Sequence, residues 1–62
     1  MMDDDADRDY FKAAEMTATL RARQIKLEST GKIFWVPLSV SDWHRDGVLM
    51  VETWFARKEG ML

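Results

Sequence analysis

The stretch Leu20–Val36, "LRARQIKLESTGKIFWV", decides the fold. It admits two readings. In the first, a helix that began near Ala6 runs on through Leu27 and closes at Gly31, and a strand follows. In the second, the stretch is a hairpin turning at Ser29-Thr30-Gly31, preceded by a shorter helix and continued into a three-stranded antiparallel sheet.

Local propensity favours the first reading. From Ala6 to Glu28 there is no Gly or Pro, alanines recur, and the β-branched residues are only Thr17, Thr19 and Ile25. Asp3, Asp4, Asp5, Asp7 and Asp9 gather at the start, and Arg21, Arg23 and Lys26 near the end. That polarity complements a helix macrodipole. Any of Asp3 to Asp5 can serve as N-cap, and Gly31 suits the left-handed residue that closes a helix. Phe11, Ala14, Ala18, Ala22 and Ile25 then form an apolar stripe, widened by Met16, Leu20 and Leu27.

The expected fold is therefore α+β: an acidic tail over 1–5, a helix over 6–30, strands over 32–40 and 48–57, and a frayed tail over 58–62. The strands form an antiparallel hairpin, with Asp46-Gly47 as the turn signal. A chain of 62 residues makes one small domain, and a domain of that size is marginally stable alone. With no cysteine and one histidine, neither disulfides nor a thiolate or His-rich metal site supplies the deficit. Oligomerisation, or docking onto something larger, is the remaining device, and a homodimer is expected.

In the first strand, Phe34, Val36, Leu38 and Val40 share one side, and Ile33, Trp35 and Pro37 the other. In the second, Leu49, Val51, Thr53 and Phe55 share a side, opposite Val48, Met50, Glu52 and Trp54. One helix covers one face. Trp35, Met50 and Trp54, with Ile33 and Pro37, are then left on the far face, and Trp43 at the hairpin tip joins them as the expected contact surface. An apolar patch of that size marks a contact surface. Pro37 cannot donate to a ladder, so a partner strand is expected to pair with Val48–Phe55 instead.

Chemistry is sparse. Asp42, His44 and Asp46 alternate beside Ser39 and Ser41, but neighbours on one turn do not supply the converging elements and oxyanion hole of a triad. As metal ligands they lack a fourth donor. There is no Gly-rich phosphate loop. The chain is read as a non-enzyme without cofactor or metal. The five aspartates offer electrostatic aid toward a basic surface. The alternative is a nucleic-acid regulator using Arg21, Arg23, Lys26, Lys32, Arg57 and Lys58 as a cationic end, with tryptophans stacking on bases. The net charge of -2 weighs against it.

No apolar run approaches the roughly 20 residues of a membrane span. An acidic start is unlike a secretory n-region, and a cysteine-free chain fits the cytoplasm. The small size, acidity and lack of catalytic machinery are together similar to small phage- or mobile-element-encoded inhibitors, such as anti-CRISPR proteins and DNA mimics. That resemblance is of type and carries over no residue. It implies a protein-binding module that blocks or adapts a larger partner.

Overall fold

The computed structural model describes residues 7–62. Five antiparallel strands dominate: β1 Arg8–Ala18, β2 Ala22–Leu27, β3 Ile33–Pro37, β4 Ser41–Arg45 and β5 Val48–Glu52. A single 3-10 turn, Leu38–Val40, links β3 to β4, and a short helix α1, Thr53–Glu59, follows β5. The strand order is β3-β2-β1-β5-β4.

The long N-terminal helix is thus replaced by two strands, and in place of a helix packed on a two-stranded hairpin there is a five-stranded sheet. The shorter helix of the second reading is absent too, although its turn at Ser29-Thr30-Gly31 is present. The reason is one of magnitude. Helix propensity separates ordinary residues by at most about 0.7 kcal/mol each. Burying a Leu or Ile side chain contributes about 1.5–3 kcal/mol. A helix would have buried a stripe made largely of alanine. As strands, the segment places Phe11 and Ala13 of β1 and Ile25 and Leu27 of β2 on one side, and Ile25 is fully buried.

β1 belongs to two ladders. Its first half, Arg8 to Lys12, pairs with β5, and its second half, from Ala13 onward, pairs with β2. At the crossover the Ala13 N–H donates to the Gly47 carbonyl (3.0 Å), and the Lys12 carbonyl accepts the Glu28 N–H (3.0 Å). Ala13 is only 2% exposed at this junction, where a larger side chain has no room. A bulge at Met16 then shifts the register between Glu15 and Thr17.

The turns follow from local chemistry. The Thr19 hydroxyl accepts the N–H groups of Arg21 (3.2 Å) and Ala22 (3.1 Å), which folds β1 back into β2. Gly31 (φ 74°) and Gly47 (φ 80°) supply the left-handed residues of the β2–β3 and β4–β5 turns. Asp46-Gly47 is a hairpin turn, as its sequence requires, and Gly31 serves a turn and not a helix end. Pro37 sits on β3, which is an edge strand and so tolerates the missing donor.

The second expected strand ends early. After Glu52 the chain becomes α1, whose Thr53 donates its N–H to the Asp7 carbonyl (3.2 Å) and its hydroxyl to Asp9 Oδ2 (2.7 Å). Phe55 and Ala56 are buried. The expected frayed tail is instead docked: the Met61 N–H donates to the Ala56 carbonyl (2.8 Å), and Met61 is buried in the core. That core gathers Leu49 and Val51 of β5, Ile25 and Leu27 of β2, Val36 of β3, and these C-terminal residues. β5 lies between β1 and β4, so it has no free edge for a partner strand.

Candidate functional site

The register sorts the exposed side chains into two outer faces. On the β1–β2–β3 ladder, Lys26 lies opposite Ile33, and Gln24 opposite Trp35. Ile33 is 50% exposed and Trp35 48%. Met16, at the bulge of β1, is also half exposed, and Leu20 at the tip of the β1–β2 turn is almost wholly so. Leu38 adjoins this turn, because its N–H donates to the Arg21 carbonyl (2.8 Å). The face is apolar from Ile33 through Trp35 to Leu38.

On the β1–β5–β4 ladder the outer face is mixed. Tyr10 meets His44 edge to face, with ring centroids 4.9 Å apart. Tyr10 lies opposite Met50, Arg8 opposite Glu52, and Asp42 opposite Met50. Clefts open around these residues, one of about 370 Å³ lined by Tyr10, Phe11, Lys12, Leu27, Glu28 and Ser29, and a larger one of about 500 Å³ lined by Lys12, Glu28, Arg45, Asp46, Gly47 and Val48. None encloses a converging set of nucleophile, base and orienting group.

The residues singled out in the sequence are not brought together. Trp35 faces outward from β3. Met50 is half-buried on β5, with two strands between it and Trp35. Trp54 lies on α1, which packs on β5 and β1, and its indole N–H donates to Glu52 Oε1 (2.7 Å). Trp43 points inward: Arg23 lies over its ring at 5.8 Å, and its indole N–H donates to Glu15 Oε1 (3.4 Å). Only Trp35 remains on the β1–β2–β3 outer face. Met16 and Leu20, assigned in sequence to a buried helix stripe, are instead exposed, at the β1 bulge and the β1–β2 turn. The signal for this was the period-two run Arg23-Gln24-Ile25-Lys26-Leu27.

The cationic set is dispersed as well. Arg21 and Lys32 sit beyond opposite ends of β2, which at about 3.3 Å per residue are on the order of 20 Å apart. Arg23 is buried, with no hydrogen-bond partner for its Nε among the described residues. Lys26 is exposed on the outer face of β2, and Arg57 and Lys58 are on α1. Of the aspartates, Asp9 is tied to Thr53 and Asp7 is exposed. Asp3, Asp4 and Asp5 lie outside the described residues.

The turn chemistry is local. Ser41 donates its hydroxyl to the Pro37 carbonyl (2.9 Å), and Asp42 Oδ1 accepts the Trp43 N–H (2.8 Å). Among the described residues no three His, Cys, Asp or Glu side chains are grouped to hold a metal ion. No helix among them is long and apolar enough to cross a membrane. No family model, characterised protein or solved structure matches the chain. The molecule is a small antiparallel sheet whose β1–β5–β4 outer face is mixed and whose β1–β2–β3 outer face carries Ile33 and Trp35 beside Gln24 and Lys26.

Proposed function

We propose that this chain is a non-enzymatic protein-binding module that blocks or adapts a larger partner, acting in the cytoplasm. The observation that carries the reading is the outer face of β3, where Ile33 and Trp35 stand half exposed on an edge strand. A covered Trp can bury on the order of 150–250 Å², and Trp is enriched in interface cores. A partner surface that is apolar at its centre and polar at its rim fits this face, with Lys26 and Gln24 as its polar neighbours. The small size and acidity are similar in type to phage-encoded inhibitors.

Affinity capture from the source lysate tests the reading. Wild type is compared with Trp35→Ala and Ile33→Lys. A protein retained by wild type and lost with both variants, at unchanged circular dichroism, is the expected result. Equal capture by all three would refute it. A second reading is a nucleic-acid-binding regulator, favoured on the other outer face by Arg8, Lys12 and Arg45 flanking Tyr10 and His44. Salt-sensitive retardation of single-stranded DNA or RNA, lost with Tyr10→Ala, would move the function there.

A further inference from the structure

The backbone of β3 narrows what covers its edge. The Leu27 N–H donates to the Lys32 carbonyl (2.9 Å), and the Leu38 N–H to the Arg21 carbonyl (2.8 Å). These two bonds fix the parity of the β2–β3 ladder: even-numbered residues of β3 bond inward to β2. The N–H and C=O groups of Ile33 and Trp35 therefore face the free edge. So does the position of Pro37, which has no N–H and whose carbonyl already accepts the Ser41 hydroxyl.

The two edges of the sheet are guarded differently. β4 carries a bulge between Trp43 and Arg45 and the charges of Asp42 and Arg45. Such features stop a strand from pairing with another chain. β3, "IFWVP", has no charge and no bulge, and only Pro37 guards its end. An edge left this open is a ready template for pairing with another chain.

We infer that β3 pairs antiparallel with β3 of a second copy, about a twofold axis at Phe34. This goes beyond the protein-binding reading, which does not require it. With the axis at Phe34, Ile33 of each copy lies opposite Trp35 of the other, and each of these residues exchanges both an N–H and a C=O. Within Ile33–Trp35 no bond is lost to proline; Pro37 falls opposite Gly31, beyond the end of the paired segment. With the axis at Trp35, Ile33 would lie opposite Pro37, where the donor is missing and the acceptor engaged. An axis at Ile33 would set Trp35 opposite Gly31, whose N–H already bonds the Leu27 carbonyl, so of these three registers the one centred on Phe34 keeps the most bonds. No like charges oppose one another in it, since Lys32 lies opposite Val36. A twofold contact uses the same strand on both sides and leaves only the guarded β4 edges outside, so it closes and does not propagate.

The pairing also completes the apolar face. Ile33 and Trp35 of both copies point to the same side and merge across the axis into one continuous surface. The partner's contact surface is thereby doubled. An edge of this length is small beside the roughly 1,200–2,000 Å² of a stable interface, so the dimer is a concentration-dependent one.

Sedimentation equilibrium from about 10 μM to about 1 mM tests this. The mass of wild type is expected to rise from 7.3 kDa toward twice that value. Trp35→Pro removes an N–H that the monomer does not use, and is expected to stay monomeric with an unchanged circular dichroism spectrum. The chain has no cysteine, so an introduced one reports cleanly. Phe34→Cys stands on the axis in a non-hydrogen-bonded pair about 4.5 Å across, and is expected to oxidise to a covalent dimer. Lys32→Cys is not. Should Phe34→Cys prove too destabilised, a nitroxide at Lys26 reads the same axis through inter-copy distance broadening. A wild type that stays at 7.3 kDa throughout, or a dimer unaffected by Trp35→Pro, overturns the inference. Capture of a protein through Ile33 and Trp35 by a strictly monomeric chain would remove the self-pairing and leave the protein-binding reading intact. A dimer that captures nothing would do the reverse.

Discussion

The two ladders that meet on β1 bury similar side chains and present opposite exteriors. Inside, Ile25 and Val36 on the β2–β3 side match Leu49 and Val51 on the β5 side, and all four are fully buried. Outside, the β4–β5 side shows Tyr10 and His44 among Arg8, Asp42 and Glu52, whereas the β2–β3 side shows Ile33 and Trp35. Folding needs only the inner sides. The difference outside is therefore where function is to be sought, and it falls on the ladder whose edge is unguarded.

The sharpest way to break this comparison is in the core. Ile25→Ala and Leu49→Ala are each expected to cost about 2–5 kcal/mol, a large part of the stability of so small a domain. Because both ladders share β1, either variant should unfold both together. Thermal melts followed by tryptophan fluorescence and by backbone circular dichroism then coincide. Retained amide protection in β4–β5 of Ile25→Ala would mean that the ladders are separate units.

The turns give a smaller and more symmetric effect. Gly31→Ala and Gly47→Ala each place a Cβ on a left-handed residue, and neither meets an atom within 4 Å. The cost is then backbone strain alone, about 1–2 kcal/mol for each, read from urea midpoints. A marked inequality between them would show that one turn is held by more than its own geometry.

Arg23 offers an effect of opposite sign. It is a buried residue whose Nε has no hydrogen-bond partner among the described residues, and its guanidinium lies over the face of Trp43. Arg23→Met keeps the volume and removes the desolvation cost. A gain of about 1 kcal/mol in chemical denaturation is expected, since an unsatisfied buried donor costs about 1–3 kcal/mol and a cation–π contact returns about 0.5–2. A loss instead would mean that the stack on Trp43 is the stronger term.

The smallest effect on folding belongs to the candidate surface. Trp35→Ala is expected to change the stability of the dilute chain by no more than about 0.5 kcal/mol, as for other half-exposed positions. A larger loss under dilute conditions would make Trp35 a structural residue and blunt the contrast between the two exteriors.

Part of this architecture was legible in the sequence. Asp46-Gly47 marks its turn because Gly alone adopts the required φ without strain. The alternation of Phe34 and Val36 against Ile33 and Trp35 is that of a strand, and Pro37 places that strand at an edge. What misled was a set of correct signals applied to the wrong segment. Cations in a last turn followed by glycine describe Arg57, Lys58 and Gly60, which do end a helix. The same pattern at Arg21, Lys26 and Gly31 does not, because Ile25 and Leu27 bury more as a strand. The candidate surface was half legible. The outward side of β3 follows from period two, but its separation from Met50 and Trp54 depends on β2 and β1 lying between, which no local signal records.

The double membership of β1 also sets an order of events. Its second half finds β2 across one short turn, whereas Arg8 must wait for Glu52, its partner at the far end of the chain. Closing so long a loop is slower than closing a hairpin. Refolding is therefore expected to protect the β2–β3 amides before those of Arg8 to Lys12, as read by pulsed hydrogen exchange. The ladder that carries Ile33 and Trp35 is then assembled early, while the molecule is still unfinished at its other end.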